Sequence, residues 1–164
     1  MEEASAADAA GLSAVASQTF PLACPPYAPA ADIAAFVEAN LSTARFAEYV
    51  NDPHRRILKA DRQGRIVGYA MLIRETDQTG VSVELSKLYV AADFHGHGVA
   101  RKLMDAALGV AAAWGASQVW LGVNRHNVRA QRFYAKSGFT VSGTRTFRLG
   151  EHVEHDYVMT RAAG

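Results

Sequence analysis

The sequence predicts a mixed α/β domain, on three observations. First, Val83-Glu84-Leu85-Ser86-Lys87-Leu88-Tyr89-Val90 is rich in β-branched, aliphatic and aromatic residues and reads as a strand. It runs into a glycine-rich turn, Phe94-His95-Gly96-His97-Gly98. A helix follows, on which Val99, Leu103, Ala106, Ala107, Val110 and Trp114 recur at helical spacing up to Gly115. Second, the same order returns: Val119-Trp120-Leu121-Gly122-Val123 is a short apolar strand, Asn124-Arg125-His126-Asn127 a turn, and 128–137 a helix closed by Gly138. Third, pairs of strand-like segments joined by tight turns flank these two units. Strand–turn–helix units set among hairpins give a sheet that carries helices.

The remaining elements follow in order. Residues 1–19 are alanine-dense, and a helix over 7–18 is the one element their own pattern supports. Phe20 to Pro29 holds Pro21, Pro25, Pro26 and Pro29 and reads as an irregular surface loop. Segments 30–41 and 43–50 read as helices, with Ser42 as N-cap between them. Segments 56–60 and 66–73 read as strands of a hairpin joined by Asp61-Arg62-Gln63-Gly64-Arg65, a loop closed by glycine, and 77–80 as the next turn. Segments 140–147 and 152–159 form a last antiparallel pair around Leu149-Gly150-Glu151.

At 164 residues the chain suits one domain, without repeats or linkers, and buries a full core without staples. Lys and Arg total 17 against 16 Asp and Glu, so no basic face marks a nucleic-acid or acidic-membrane partner. No apolar run approaches the ~20 residues of a membrane span. The start, Met1-Glu2-Glu3, lacks the basic region of a signal peptide. A single cysteine, Cys24, fits a reducing compartment, and the expected location is cytoplasmic.

The first turn aims helix N-terminal N–H groups at its guest, and a phosphate suits them. A P-loop is excluded, because Gly98 is followed by Val99 and not by Lys and Ser or Thr. A dinucleotide fingerprint lacks its third small residue, since Arg101 stands there.

With both turns read together, the chain resembles the GNAT N-acetyltransferases, which use acetyl-coenzyme A. Their loop pattern, Gln/Arg-x-x-Gly-x-Gly/Ala, is matched by His95-Gly96-His97-Gly98-Val99-Ala100, with His95 as the departure. Their later pattern, Asn-x-x-Ala-x-x-Phe-Tyr-x-x-x-Gly-Phe, is matched by Asn127, Ala130, Phe133, Tyr134, Gly138 and Phe139. Glu84 to Val90, Trp120 to Val123, Thr146 to Gly150 and Asp156 to Met159 look like the bacterial PaiA-type polyamine acetyltransferases. The resemblance implies a GNAT fold: a mixed sheet of six or seven strands, helices on both faces, and a splayed central parallel pair that admits the coenzyme. It also implies a first strand before residue 19, a small-molecule amine as partner, and an acceptor site bordered by the proline-rich loop. The family often dimerises, so a homodimer is a further expectation.

Carried over residue by residue, the resemblance gives acetyl-CoA as co-substrate. The main chain of Leu88, Tyr89 and Val90 would pair with the pantetheine arm, Val90 N–H serving the oxyanion. His95, Gly96, His97, Gly98, Val99, Ala100 and Arg101 would hold the pyrophosphate, with Lys102 adding charge nearby and Lys136 reaching another phosphate. Asn127 reads as the N-cap of its helix and also lies near the coenzyme in the family. An alkylamine with pKa near ~10.4 loses its proton at pH 7 at a cost of about 4–5 kcal/mol, so a base is needed. Glu84 is the candidate, against an outward polar residue of an alternating strand; Asp93 reads better as a turn residue. Tyr134 is the candidate acid for the departing thiolate, against a packed aromatic beside Phe133. The rival functions are acetylation of a protein or antibiotic amine, a non-catalytic acyl-CoA sensor, and a nucleotide-binding module.

The six histidines do not assemble a metal site on this reading. His152 and His155 point to opposite faces of a strand, and His95 and His97 have no evident third ligand. Cys24 has no evident base and reads as inert. Trp114 and Trp120 read as core residues.

Overall fold

The computed structural model describes residues 1–163. Seven strands form one sheet: β1 (Glu2–Glu3), β2 (Arg55–Arg62), β3 (Arg65–Asp77), β4 (Gly80–Val90), β5 (Ala116–Asn124), β6 (Thr140–Leu149) and β7 (His152–Ala162). Their spatial order is β1-β2-β3-β4-β5-β7-β6. All neighbours are antiparallel except β4 and β5. The helices are α1 (Ala9–Ala23), α2 (Ala30–Asn40), α3 (Thr43–Asn51), α4 (Val99–Ala113) and α5 (Val128–Lys136).

Helices cover both faces. Val99, Leu103, Met104, Ala107 and Ala111 of α4 pack against Val67, Ala70, Leu72, Leu85 and Leu88 of the sheet. Leu12, Val15, Ala16 and Phe20 of α1 and Phe46 of α3 pack against Tyr69 and Met71 on the opposite face. Gly68 lets α4 lie close, because a Cβ there would meet the Tyr89 carbonyl oxygen at 3.0 Å and Leu103 at 3.2 Å. Local signals end the elements as the sequence indicates. The Ser42 side chain accepts from Arg45 N–H at 3.2 Å. The hairpin loop is tighter than the expected 61–65: β2 runs to Arg62, β3 starts at Arg65, and Gln63 and Gly64, both at positive φ (55° and 78°), make a two-residue turn whose twist suits a hairpin.

Two expectations are corrected. The proline-rich stretch is not irregular throughout: α1 continues past Pro21 to Ala23. Pro21 lacks only one helical hydrogen bond, in the last turn. Phe20 holds that turn by stacking on Phe36 of α2, ring centroids 4.5 Å apart. The two tryptophans are half-buried: Trp114 packs against the edge of the core and lies between Arg56 and Arg74, each guanidinium 5.3 Å from a ring, whereas Trp120 is outside the core and lies under Arg145 at 5.7 Å. A cation over the ring face supplies what burial does not.

Candidate active site

The site begins where β4 and β5 part. Their parallel pairing runs from Val81/Ala116 to Glu84/Trp120 and goes no further, although both strands continue. Pairing of β4 with β3 skips Ser86: Leu72 faces Leu85 and Met71 faces Lys87. This bulge bends β4 away from β5. It also resets the side-chain alternation, so Leu85 and Leu88, three apart, both enter the α4-side core. Glu84 and Lys87 therefore share the opposite face, towards α1 and α2.

Main-chain parity decides what faces the gap. Ala91 N–H bonds Val67 carbonyl oxygen at 2.8 Å, and the register pairs Tyr89 with Tyr69 and Val90 with Gly68. Hydrogen-bonded pairs alternate in an antiparallel ladder. Tyr89 thus spends its N–H and C=O on β3, whereas Leu88 and Val90 point theirs into the gap. The expectation that all three residues offer main chain to a ligand is corrected to these two. The Tyr89 ring packs beside Tyr69, centroids 5.9 Å apart.

The gap opens at its far end on the glycine turn. Gly96 and Gly98 sit at φ 81° and 79°, left-handed positions that favour glycine, with open space where a Cβ would stand. The first helical bond of α4 is Lys102 N–H to Gly98 C=O at 3.1 Å. The N–H groups of Val99, Ala100 and Arg101 precede it and lack intrahelical partners. Gap and turn form one cleft of about 1010 Å³. Leu88, Tyr89, Val90, His95, Gly96, Gly98, Val99, Ala100, Arg101, Asn127, Tyr134, Lys136 and Glu84 all line it. His97 does not; its ring packs against Phe94, centroids 5.9 Å apart. Asn127 caps α5 by accepting from Ala130 N–H at 3.2 Å. The donor set fits a coenzyme A: main-chain donors and acceptors along the gap, then a cradle of free N–H groups with Arg101 and Lys136 beside it.

Tyr134 is packed edge-on against Phe133 and Phe139. Burial pushes its hydroxyl up to about 12. The phenol is thus neutral at every working pH, and full proton transfer to a thiolate near ~8.5 is uphill. In this state it can donate a hydrogen bond into the cleft that it lines.

The other end of the cleft holds the charged residues. Glu84 is raised by burial, with Arg145 and then Lys87 opposing that rise. Arg145 lies 3.8 Å from Glu84 and its Nε donates to Asp156 at 3.3 Å. Burial likewise raises Asp156, again against Arg145. Glu154, 4% exposed, accepts from the Tyr27 hydroxyl at 2.8 Å. This ties the loop after α1 to β7. Cys24 lines the same end, and burial pushes its thiol up to about 11, so it is no nucleophile at neutral pH.

Sequence reasoning missed Arg145, Glu154, Asp156 and Arg129, the last of which lines the cleft from α5 and donates to His95 Nδ1. One signal pointed to Arg145: Gly122, a glycine inside a strand, marks a close approach. The Arg145 guanidinium occupies the space a Cβ at Gly122 would need.

Comparison with known proteins agrees with this geometry. The model of the acetyltransferase (GNAT) family matches residues 19–139. An uncharacterized N-acetyltransferase of Mycobacterium tuberculosis is 63% identical over 154 residues, 94% of this chain and 97% of the relative. The fold is shared with the PaiA N-acetyltransferase of Thermoplasma acidophilum, solved in complex with coenzyme A (TM-score 0.83, 20% identity, 98% of this chain and 96% of that one). It is shared as well with the ribosomal-protein-S18-alanine N-acetyltransferase of Escherichia coli (TM-score 0.73, 16% identity, 99% and 92%). The parted β4 and β5, the glycine cradle and these matches together show that the chain belongs to the acetyltransferase (GNAT) family.

Proposed function

We propose that this N-acetyltransferase moves the acetyl group of acetyl-CoA directly to a primary amine of a small cationic acceptor, polyamines first. The observation that carries the reading is the main chain of Leu88 and Val90, directed into the gap and leading to the open cradle at Gly96 and Gly98. A pantetheine arm has amides to match the first, and a pyrophosphate matches the second.

Roles follow from position. The cradle lies after the C-terminal end of β4, so the arm runs back along β4 and its thiol end lies by the bulge. Glu84 stands there, and its raised carboxyl makes a better base for an ammonium than an ordinary carboxylate. Val90 or Leu88 N–H serves the oxyanion, and Tyr134 donates to the sulfur. Glu84, Glu154 and Asp156 place three carboxylates at the acceptor end against Arg145 and Lys87, which supports a cationic acceptor. The likeness to the PaiA protein supports the polyamine choice. The lone Cys24 suits a reducing, cytoplasmic setting.

The test is thiol release from acetyl-CoA over a panel of spermidine, spermine, short diamines, an aminoglycoside and a lysine peptide, against a blank. Turnover confined to polyamines and diamines supports the full reading. Turnover with another acceptor keeps the transfer and discards the polyamine. Coenzyme binding without turnover on any amine overturns it in favour of a sensor.

A further inference from the structure

We propose that Lys87 is itself an acceptor: with no free amine present, the enzyme moves the acetyl group from acetyl-CoA to the Nζ of Lys87. This rests on the transfer reading above, and the geometry of the bulge carries it. Ser86 takes no partner on β3, so Lys87 turns to the face that Glu84 occupies, inside the cleft. The first free main-chain groups of the gap belong to the next residue, Leu88. A thioester at the end of an arm lying along Leu88 and Val90 is therefore beside Lys87, with Glu84 on the same face.

The amine is also unengaged. Its one hydrogen bond among the described residues is to the neighbouring Ser86 hydroxyl at 3.4 Å. Lys59, by contrast, is held by Asp8 at 2.9 Å and Asp61 at 3.4 Å. Lys102 and Lys136, which complete the four lysines of the chain, are exposed on helices. Burial brings the Lys87 ammonium down to about 8, with Glu84 opposing the drop and Arg55 and Arg145 adding to it. About a tenth of it is neutral at pH 7, roughly two hundredfold more than an amine with pKa near ~10.4.

The step balances. Neutral Nζ attacks the thioester carbonyl carbon, the carbon–nitrogen bond forms and the carbon–sulfur bond breaks. The nitrogen gives up one proton to Glu84 or water, and the departing thiolate takes one, leaving Nε-acetyl-Lys87 and free coenzyme A. The product removes a cation from the acceptor end and fills part of it, so the modified enzyme turns over added amines more slowly.

The experiment incubates the full chain with acetyl-CoA and no amine, then reads each lysine by peptide mass spectrometry. A parallel sample without coenzyme is pulsed with acetic anhydride over a pH series. Expected are acetylation of Lys87 at least about tenfold faster than Lys102 or Lys136, loss of that signal in Lys87→Arg, and suppression by spermidine. In the anhydride arm, Lys87 labelling levels off near its own lowered pKa, well before the exposed lysines. Acetyl-CoA labelling of Lys87 no faster than of Lys102, in enzyme that still turns over the amine panel, overturns this inference alone. Lys87 labelling that excess free coenzyme A does not suppress overturns it too, because the donor is then not held in the cleft and the reaction is chemical. Failure of the whole panel together with the self-reaction is the distinct outcome that overturns the transfer reading.

Discussion

His95 Nε2 lies 2.7 Å from the carbonyl oxygen of Val90, and the Arg129 guanidinium reaches His95 Nδ1 from α5. Arginine only donates, so Nδ1 accepts and Nε2–H donates to Val90. The family's usual Gln or Arg is thus replaced by a bridge that spans the open gap from β4 to α5 and uses one of the carbonyls facing it. A glutamine amide can also donate to that carbonyl, whereas alanine cannot. His95→Gln should leave coenzyme A binding within a few-fold, and His95→Ala should weaken it about tenfold, measured by calorimetry. With Arg129→Ala the losses should be less than additive, since one bridge is being removed twice.

Arg145 offsets two carboxyls, Glu84 and Asp156, that burial raises. Arg145→Met leaves both without their nearest cation, and each should rise further. With Glu84 as the proposed base, the acid limb of kcat/KM should move to higher pH by roughly one unit. Stability should fall by about 1–3 kcal/mol at pH 7, less than for a fully buried pair because Arg145 is 37% exposed. The sign follows from linkage: a carboxyl raised in the folded state costs stability only where it is ionised. The loss should therefore shrink as pH falls through the raised values. Gly122→Ala should give a weaker version of the same shift by displacing the guanidinium.

Local chemistry made much of this legible in advance. The turn at Gly96 and Gly98, the caps at Ser42 and Asn127 and the period of α4 each depend on a few neighbouring residues, and each stands where the sequence puts it. The acceptor end depends on partners far apart in the chain: Arg145 with Glu84, Tyr27 with Glu154. No short window carries such a pairing. The Ser86 bulge is of the same kind, since only the register with β3 shows that Lys87 shares a face with Glu84. Pro21 misled because a local rule was outweighed by the stacking of Phe20 on a helix ten residues on.

The Tyr134 hydroxyl makes no hydrogen bond among the described residues, and its ring is held by Phe133 and Phe139. Tyr134→Phe should leave the melting temperature and coenzyme affinity close to those of the parent. It should lower kcat by about 10²–10⁴, the range for loss of a general acid. The basic limb of the parent's pH profile should not come from this phenol below its value of about 12. A variant with unchanged kcat would leave thiolate protonation to water.

Lys87 gives a stability prediction separate from its reactivity. Its ammonium is lowered from 10.5 to about 8 by burial, so the folded state binds its proton less tightly than the unfolded chain does. The cost is full below about pH 8, fades as pH rises, and is gone above the unfolded value near 10.5. Lys87→Met keeps the length and removes the charge. It should raise the melting temperature at pH 7, at about 2–4 °C per kcal/mol gained, and the difference from the parent should close by pH 10. A melting temperature that falls at pH 7 would mean that the attraction between Lys87 and Glu84 outweighs the burial of the ammonium.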